Sequence, residues 1–382
     1  MKVWCKLLLL VTILFTNSKS LSAQHPVEKS IDSIMQKFQA VGLSVAVVEK
    51  NKLVYNKSFG YSNLQNKTPL TNDHIFRIAS ISKSFTATGI MQLVEAGKLS
   101  LQQDISELLG FTVRNPKFPD KIITLKMLLA HRSSLNDKQG YFTLDILQAD
   151  KNPDWAKSFN DYEPGSNYQY CNLNFNLAGT IIERVSGERF DNYIVQHIFK
   201  PLGLYGAYCN DSLDNRRFAT LYEYNKDSNI FVAAENAYHP RREELAKYVM
   251  GYSTPMFSPT GGVKISAHDL ARYMMMHMNR GKLGKQRIIS KKSSGQMQTA
   301  FASDNSYGLA LEVNTNKVIP GVTLTGHTGS AYGLYSAMFF NPKQKFGFVV
   351  ITNGCKLEDT DGMNGLLKET LQSLYRYFIQ NL

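Results

Sequence analysis

The chain has 382 residues, 43% of them hydrophobic and 19% charged, a globular composition with room for one large domain or two lobes sharing a core. Its formal net charge of +12 is carried by basic residues standing singly or in pairs, such as Arg241-Arg242 and Lys291-Lys292, without the stripe that a nucleic-acid partner requires. Four cysteines (Cys5, Cys171, Cys209 and Cys355) and eight scattered histidines form neither a CxxC nor an HExxH, which excludes a disulfide framework and implies no metal site and no cofactor. One bridge among the cysteines stays open.

In chain order, Lys2 and Lys6 precede an apolar run over residues 7–15 and a small, polar stretch over residues 17–23. This is the pattern of a secretory signal peptide over residues 1–23, cleaved near Ser22 or Ala23. The run of about nine residues falls short of the ~20 that span a bilayer, so no stable membrane anchor is expected. Cys5 precedes the run and is not at a cleavage site, which argues against a lipid-modified terminus. The expected location is secreted or periplasmic.

Residues 43–49 and 53–59 read as a hairpin through Lys50-Asn51-Lys52. From Ser80 onward, Phe85, Ile90, Met91 and Leu93 fit a helix that Gly97 stops, which puts Ser80 at a helix start. Residues 101–254 are mixed, with helical stretches at 125–130 and 177–185 and many turns, and read as an inserted, mostly helical lobe. Strand patterns return at 307–313, 322–327, 334–340 and 346–352, the last two joined by Asn341-Pro342-Lys343, before a final helix over 366–378. The whole predicts an α/β (α+β) fold in a single domain over 24–382. Its sheet lobe is built from both termini (24–100 and 255–382) as one antiparallel sheet flanked by helices, without internal repeats.

Three strings carry chemistry: Ser80-Ile81-Ser82-Lys83, Tyr170-Cys171-Asn172 and His327-Thr328-Gly329. A serine hydroxyl needs a base to take its proton as it attacks a carbonyl. On a helix, residues three apart share a face, so Lys83 reaches Ser80 and serves as base if burial or a neighbouring cation keeps it neutral. The helix start also offers an unpaired backbone N–H for an oxyanion. Alone, an SxxK is most often a polar helix start with an exposed lysine; the flanking Phe76-Arg77-Ile78-Ala79 and the long amphipathic helix reverse that reading here.

On an extended segment, Tyr170 and Asn172 point the same way. The tyrosine, lowered by a nearby lysine charge, would shuttle a proton, while the asparagine would orient the lysine or bind a substrate amide. A second copy, Tyr61-Ser62-Asn63, closes the first hairpin and reads as a turn. In the third string Gly329 would let a substrate backbone lie close, Thr328 would bind a carboxylate, and the N–H of Ser330 would be a second oxyanion donor. Without such a role, His327 would be an edge-strand histidine.

These strings, with 125–135 (including His131-Arg132-Ser133-Ser134-Leu135), Pro164-Gly165, Pro201-Leu202-Gly203-Leu204 and 258–269, resemble the serine β-lactamase and penicillin-binding protein superfamily, in its class C β-lactamase-like branch. The resemblance implies Ser80 as acylated nucleophile and Lys83 as its base or proton relay. It implies Tyr170 as base for acylation and for the deacylating water, Asn172 as substrate positioner, and the Ser80 and Ser330 amides as oxyanion donors. His327 stands where class C enzymes resemble one another in a lysine, which weakens the attraction for a β-lactam carboxylate. Ser303-Asp304-Asn305 and Glu163-Pro164-Gly165-Ser166-Asn167 mimic class A motifs in the wrong order and read as loops.

The expected activity is therefore that of an exported serine hydrolase cleaving an amide or ester of a small-molecule or peptide substrate, such as a cell-wall fragment. Its alternative is a penicillin-binding or cell-wall-sensing protein that acylates without efficient turnover.

Overall fold

A computed structural model describes residues 26–360 and 362–380. The leader expected over residues 1–23 lies outside the described residues. Among those described, no helix is long and apolar enough to cross a membrane.

Seven antiparallel strands form the main sheet: β1 (Gly42–Glu49), β2 (Lys52–Asn63), β3 (Thr68–Pro69), β4 (Glu312–Ile319), β5 (Val322–Ala331), β6 (Leu334–Asn341) and β7 (Phe346–Thr352), in the order β4-β5-β6-β7-β1-β2-β3. β1 and β7 pair from Leu43↔Thr352 to Glu49↔Phe346, so the two ends of the chain meet at the sheet centre. Both central strands read as unbroken apolar runs because both sheet faces are covered. Alternation decides which face each residue feeds. Leu43, Val45 and Val47 enter one core with Phe348 and Val350, while Ala46 and Val48 enter the other with Val349 and Ile351.

Helices α1 (Pro26–Lys37) and α5 (Gly365–Tyr375) cover the first face through Val27, Ile31, Leu367 and Leu371. On the other face lie α2 (Ser82–Glu95), α3 (Leu173–Ser186) and α4 (Ala267–Met278). α2 is buried along almost its whole length, because it runs between the sheet and the inserted lobe. It ends as its glycine dictates: Gly97 takes φ 69° and Lys98 N–H donates back to Leu93 O at 3.0 Å. A small three-stranded sheet of Phe76–Arg77, Lys264–Ile265 and Gly206–Ala207 stitches the start of α2 to the start of α4.

Three details differ from the sequence pattern. The strand expected over 307–313 begins only at Glu312: Ala310 turns into the left-handed region (φ 62°) and Gly308 N–H bonds Leu311 O, so the buried Leu309-Ala310-Leu311 run is a packed turn. Tyr61-Ser62-Asn63 is the end of β2 and pairs with β3, where a turn was expected. The inserted lobe also carries a hairpin, Tyr222–Asn225 with Ile230–Ala233. Cys171, Cys209 and Cys355 are buried free thiols.

α3 and the loop before α4 approach too closely for a side chain between them. A Cβ on Gly179 would lie 2.3 Å from Pro259 Cγ. Gly179→Ala is expected to lower stability by about 1–3 kcal/mol, read as a shift of the urea midpoint by circular dichroism.

Candidate active site

Ser80 sits in a single 3₁₀ turn, Ala79–Ile81, that runs directly into α2. Ala79 before it holds φ 47°, a strained conformation for a residue with a Cβ, and the turn is braced from the sheet side. Ser336 Oγ donates to Ile78 O at 3.0 Å, and Gly329 lies so close that a Cβ there would stand 2.2 Å from the same carbonyl. Gly329 thus admits the protein's own nucleophile turn, where a substrate backbone was expected.

The predicted helical spacing brings Lys83 Nζ to 3.0 Å from Ser80 Oγ. The amine, fully buried, also lies 2.9 Å from Asn172 Oδ1 and 3.0 Å from Thr260 O. Burial pushes its pKa down to about 7, against an opposing pull from the charge of Asp137. A neutral amine has two hydrogens and one lone pair. Asn172 Oδ1 and Thr260 O are pure acceptors that take both hydrogens, which leaves the lone pair for the Ser80 hydroxyl. This is the geometry of a base.

Asn172 is not on an extended segment. At φ −69°, ψ −33° it starts α3, because the Asp137 carboxylate accepts the N–H groups of Asn172 at 2.8 Å and Leu173 at 3.0 Å, as an N-cap side chain would. The same carboxylate takes Asn172 Nδ2 at 3.0 Å, while Thr260 Oγ1 donates to Asn172 Oδ1 at 2.9 Å. The amide oxygen is therefore fully engaged and orients the lysine, while Nδ2 gives one of its two hydrogens to Asp137.

The Tyr170 hydroxyl neighbours Ser80, and its ring lies 4.8 Å from Lys83 Nζ. Its pKa is raised, chiefly by burial, where the sequence reading expected the lysine to lower it. Tyr170 therefore keeps its proton at neutral pH. The ring packs at 4.2 Å on His131, whose Nδ1 accepts the Cys171 N–H at 3.1 Å and thereby fixes the Tyr170-Cys171-Asn172 segment. Burial drives His131 well below its usual range, with the Lys83 charge adding to it.

His327 is buried at 4% exposure, and both ring nitrogens are engaged, Nε2 with Tyr307 Oη at 3.0 Å and Nδ1 with Thr328 O. Burial, then the Lys83 charge, push it down to about 4, so it is a neutral strut with no nitrogen left for substrate. Beyond it the pairing of β5 has a useful parity. Ala331 and Leu334 close a two-residue turn through Tyr332 (φ 55°) and Gly333 (φ 77°), so this pair exchanges hydrogen bonds, and the N–H groups of Ser330 and Thr328 face away from β6. β4 pairs with β5 only as far as Gly326, which leaves that edge open. The exposed Ser330 and half-buried Thr328 thus present amides at the edge, and the Ser80 amide lies in a first turn with no intrahelical acceptor.

Ser80, Lys83, Tyr170 and Asn172 come together, with Thr328 and Ser330 on the adjoining strand. Sequence reasoning missed Asp137, Tyr307, His131 and the Thr260 carbonyl. Of these, His131 and Thr260 stood in stretches already noted (125–135 and 258–269) and Tyr307 opened a strand pattern, but none had been given a role. The class A look-alikes are structural: Asp304 pairs with buried Arg132, and Glu163 with Lys121 at 2.9 Å.

The family model "Beta-lactamase" matches residues 27–372. The chain belongs to the beta-lactamase family. Among curated relatives of this beta-lactamase family protein, "Protein flp" of Staphylococcus aureus (strain N315) is 24% identical over 351 residues, covering 87% of this chain; the chain spans 63% of that relative's length. Among solved structures, the octameric penicillin-binding protein homologue from Pyrococcus abyssi superposes with TM-score 0.73 at 25% identity, covering 93% of this chain and 77% of its own. The D-amino acid amidase from Ochrobactrum anthropi SV3 gives TM-score 0.72 at 21% identity, covering 94% of this chain and 100% of its own, a likeness of fold.

Removing the Asp137 carboxylate would strand the amides of Asn172 and Leu173 and free the Asn172 side chain. Asp137→Ala is expected to cost about 2–4 kcal/mol at pH 7, measured by thermal and urea unfolding.

Proposed function

We propose that this beta-lactamase family protein is a serine hydrolase that cleaves an amide or ester through a Ser80 acyl-enzyme. The observation that carries the reading is the buried Lys83 amine, held by Asn172 Oδ1 and Thr260 O with its remaining valence turned to Ser80 Oγ at 3.0 Å. The Ser80 proton passes to Lys83 Nζ as Oγ bonds the substrate carbonyl carbon. The resulting oxyanion rests on the Ser80 and Ser330 amides. Collapse breaks the C–N or C–O bond, and the proton returns through Tyr170 to the leaving atom. Water then releases the acyl group and regenerates the Ser80 hydroxyl.

Family membership supports this reading, and so does the shared fold with the D-amino acid amidase. The leader pattern at residues 1–23 supports export, and with it a small-molecule or peptide substrate such as a cell-wall fragment. A second reading has its own support: Tyr170 keeps its proton, so it is a poor base for a deacylating water, as suits a penicillin-binding protein that acylates and holds its ligand.

Incubation with a fluorescent penicillin and a fluorophosphonate, followed by intact-mass measurement, is expected to give one adduct, lost in Ser80→Ala; no wild-type adduct would overturn the mechanism. A penicillin adduct that persists for hours would favour the second reading, and rapid loss with hydrolysed drug the first.

Because only neutral Lys83 accepts a proton, acylation is expected to rise with pH through a midpoint near 7. Lys83→Ala is expected to slow it about 10²-fold or more at every pH and abolish that limb. Stopped-flow acylation rates between pH 5 and 9 check both.

A further inference from the structure

On the other side of Ser80 lies an arrangement that the acyl-transfer steps leave unused. Arg77 and Lys264 face each other as a register pair in the small antiparallel sheet, and they are only 8% and 3% exposed. Like charges directly opposite in a sheet repel, and burial in low dielectric magnifies the cost. Among the described residues neither forms an ion pair with a carboxylate. Lys264 Nζ donates to Tyr208 O at 2.5 Å. Arg77 Nε donates to Gly261 O at 3.0 Å and Nη2 to Ser258 Oγ at 3.3 Å, while Nη1 meets no acceptor among the described residues. Asp191, the carboxylate that acts on Lys264 from a distance, is already held by Arg189 at 2.6 and 2.9 Å. Arg241 adds a third positive charge to the field at both residues and is itself paired with Glu244. Burial, then the Arg77 charge, drive Lys264 well below its usual range and toward its neutral form, which leaves Arg77 as the buried cation lacking a counter-ion.

The surroundings give this charge a shape. The Tyr332 ring lies 5.1 Å from Arg77 Cζ, and Tyr238 and Tyr141 complete its electrostatic neighbourhood. Tyr332 sits in the turn just after Ser330 and Ala331, at the end of the strand that flanks the nucleophile. A leaving group must lie within reach of its proton donor, on the side of Lys83 and Tyr170, whose wall is His131, Tyr168, His327 and Tyr307. Arg77 precedes Ser80 by three residues as Lys83 follows it by three, and its tyrosines belong to a separate wall. With the leaving group on the Lys83 and Tyr170 side, the second wall is the side left for the acyl half of a substrate.

We propose that Arg77, backed by Lys264 and walled by Tyr332, is an acyl-side subsite for a substrate carboxylate. This rests on the Ser80 acyl-enzyme reading and adds the chemical class of substrate: an acyl group with a terminal carboxylate. The carboxylate supplies the counter-ion that Arg77 lacks, accepts the free Nη1 hydrogens in a charge-assisted bond, and favours the protonated form of Lys264 behind it.

Two esters of equal acyl length, mono-p-nitrophenyl glutarate and p-nitrophenyl valerate, test it. Wild type is expected to favour the glutarate in kcat/KM, with that ratio falling about tenfold in Arg77→Gln and largely restored in Arg77→Lys. Should Arg77→Gln fail to fold, Lys264→Met carries the comparison, with the ratio expected to fall about threefold while valerate turnover stays. In Ser80→Ala, free glutarate is expected to raise Tm, and adding Arg77→Gln to remove that rise. Equal losses on both esters with no glutarate effect on the Tm of Ser80→Ala would overturn the subsite and leave Arg77 a structural anchor. No turnover of either ester, with glutarate still stabilising Ser80→Ala, would support the subsite and count against the hydrolase alone.

Discussion

The site depends on taking one lysine amine out of water without giving it a counter-ion. Lys83 touches a hydroxyl, an amide oxygen and a backbone carbonyl, but no carboxylate. A carboxylate in direct contact would fix the ammonium and end its use as a base. Asp137, the acid that acts on it, is held one residue away with the Asn172 side chain between them. The neutral amide transmits direction from Asp137 to Lys83 while its length keeps the two charges apart. Asparagine suits this position for a physical reason: it accepts from one side and donates to the other without charge.

The same preference for neutrality governs the facing strand. His327, pinned by Tyr307 and bonded to its neighbour's carbonyl, adds no cation beside Lys83. A second positive group there would lower the lysine further and attract anions to the leaving-group side. With that side uncharged, selectivity falls to hydrogen bonds from the strand edge and to groups beyond the Ser80 turn.

Much of this was legible in the chain, for reasons specific to each residue. Ser80 and Lys83 could be paired because three residues on a helix is a fixed distance, and Gly97 marked where that helix stops. The central strands declared themselves as apolar runs. Other features were hidden because their cause is tertiary. Asp137 acts from a loop on a helix start 35 positions later, and Thr260 acts through its carbonyl, which no side chain advertises. Gly329 looked like an opening for substrate, and only the position of Ile78 O shows that it serves the protein's own backbone. Tyr170 was misjudged in direction, since a lysine's attraction can be inferred from proximity but the larger effect, burial, cannot.

The pairing of β1 with β7 has a temporal consequence. Leu43 meets Thr352, and the Ser80 turn is braced by Gly329 and Ser336, so that turn is not fully supported until nearly the whole polypeptide is available. Contacts that close such long loops slow folding and leave partly formed sheets with unpaired edges along the way. A chain of this topology emerging from a ribosome has its Ser80 turn unsupported until its last strands arrive. The joining of β1 to β7 comes late by necessity, and a product truncated anywhere before β7 has no central strand to join its two ends.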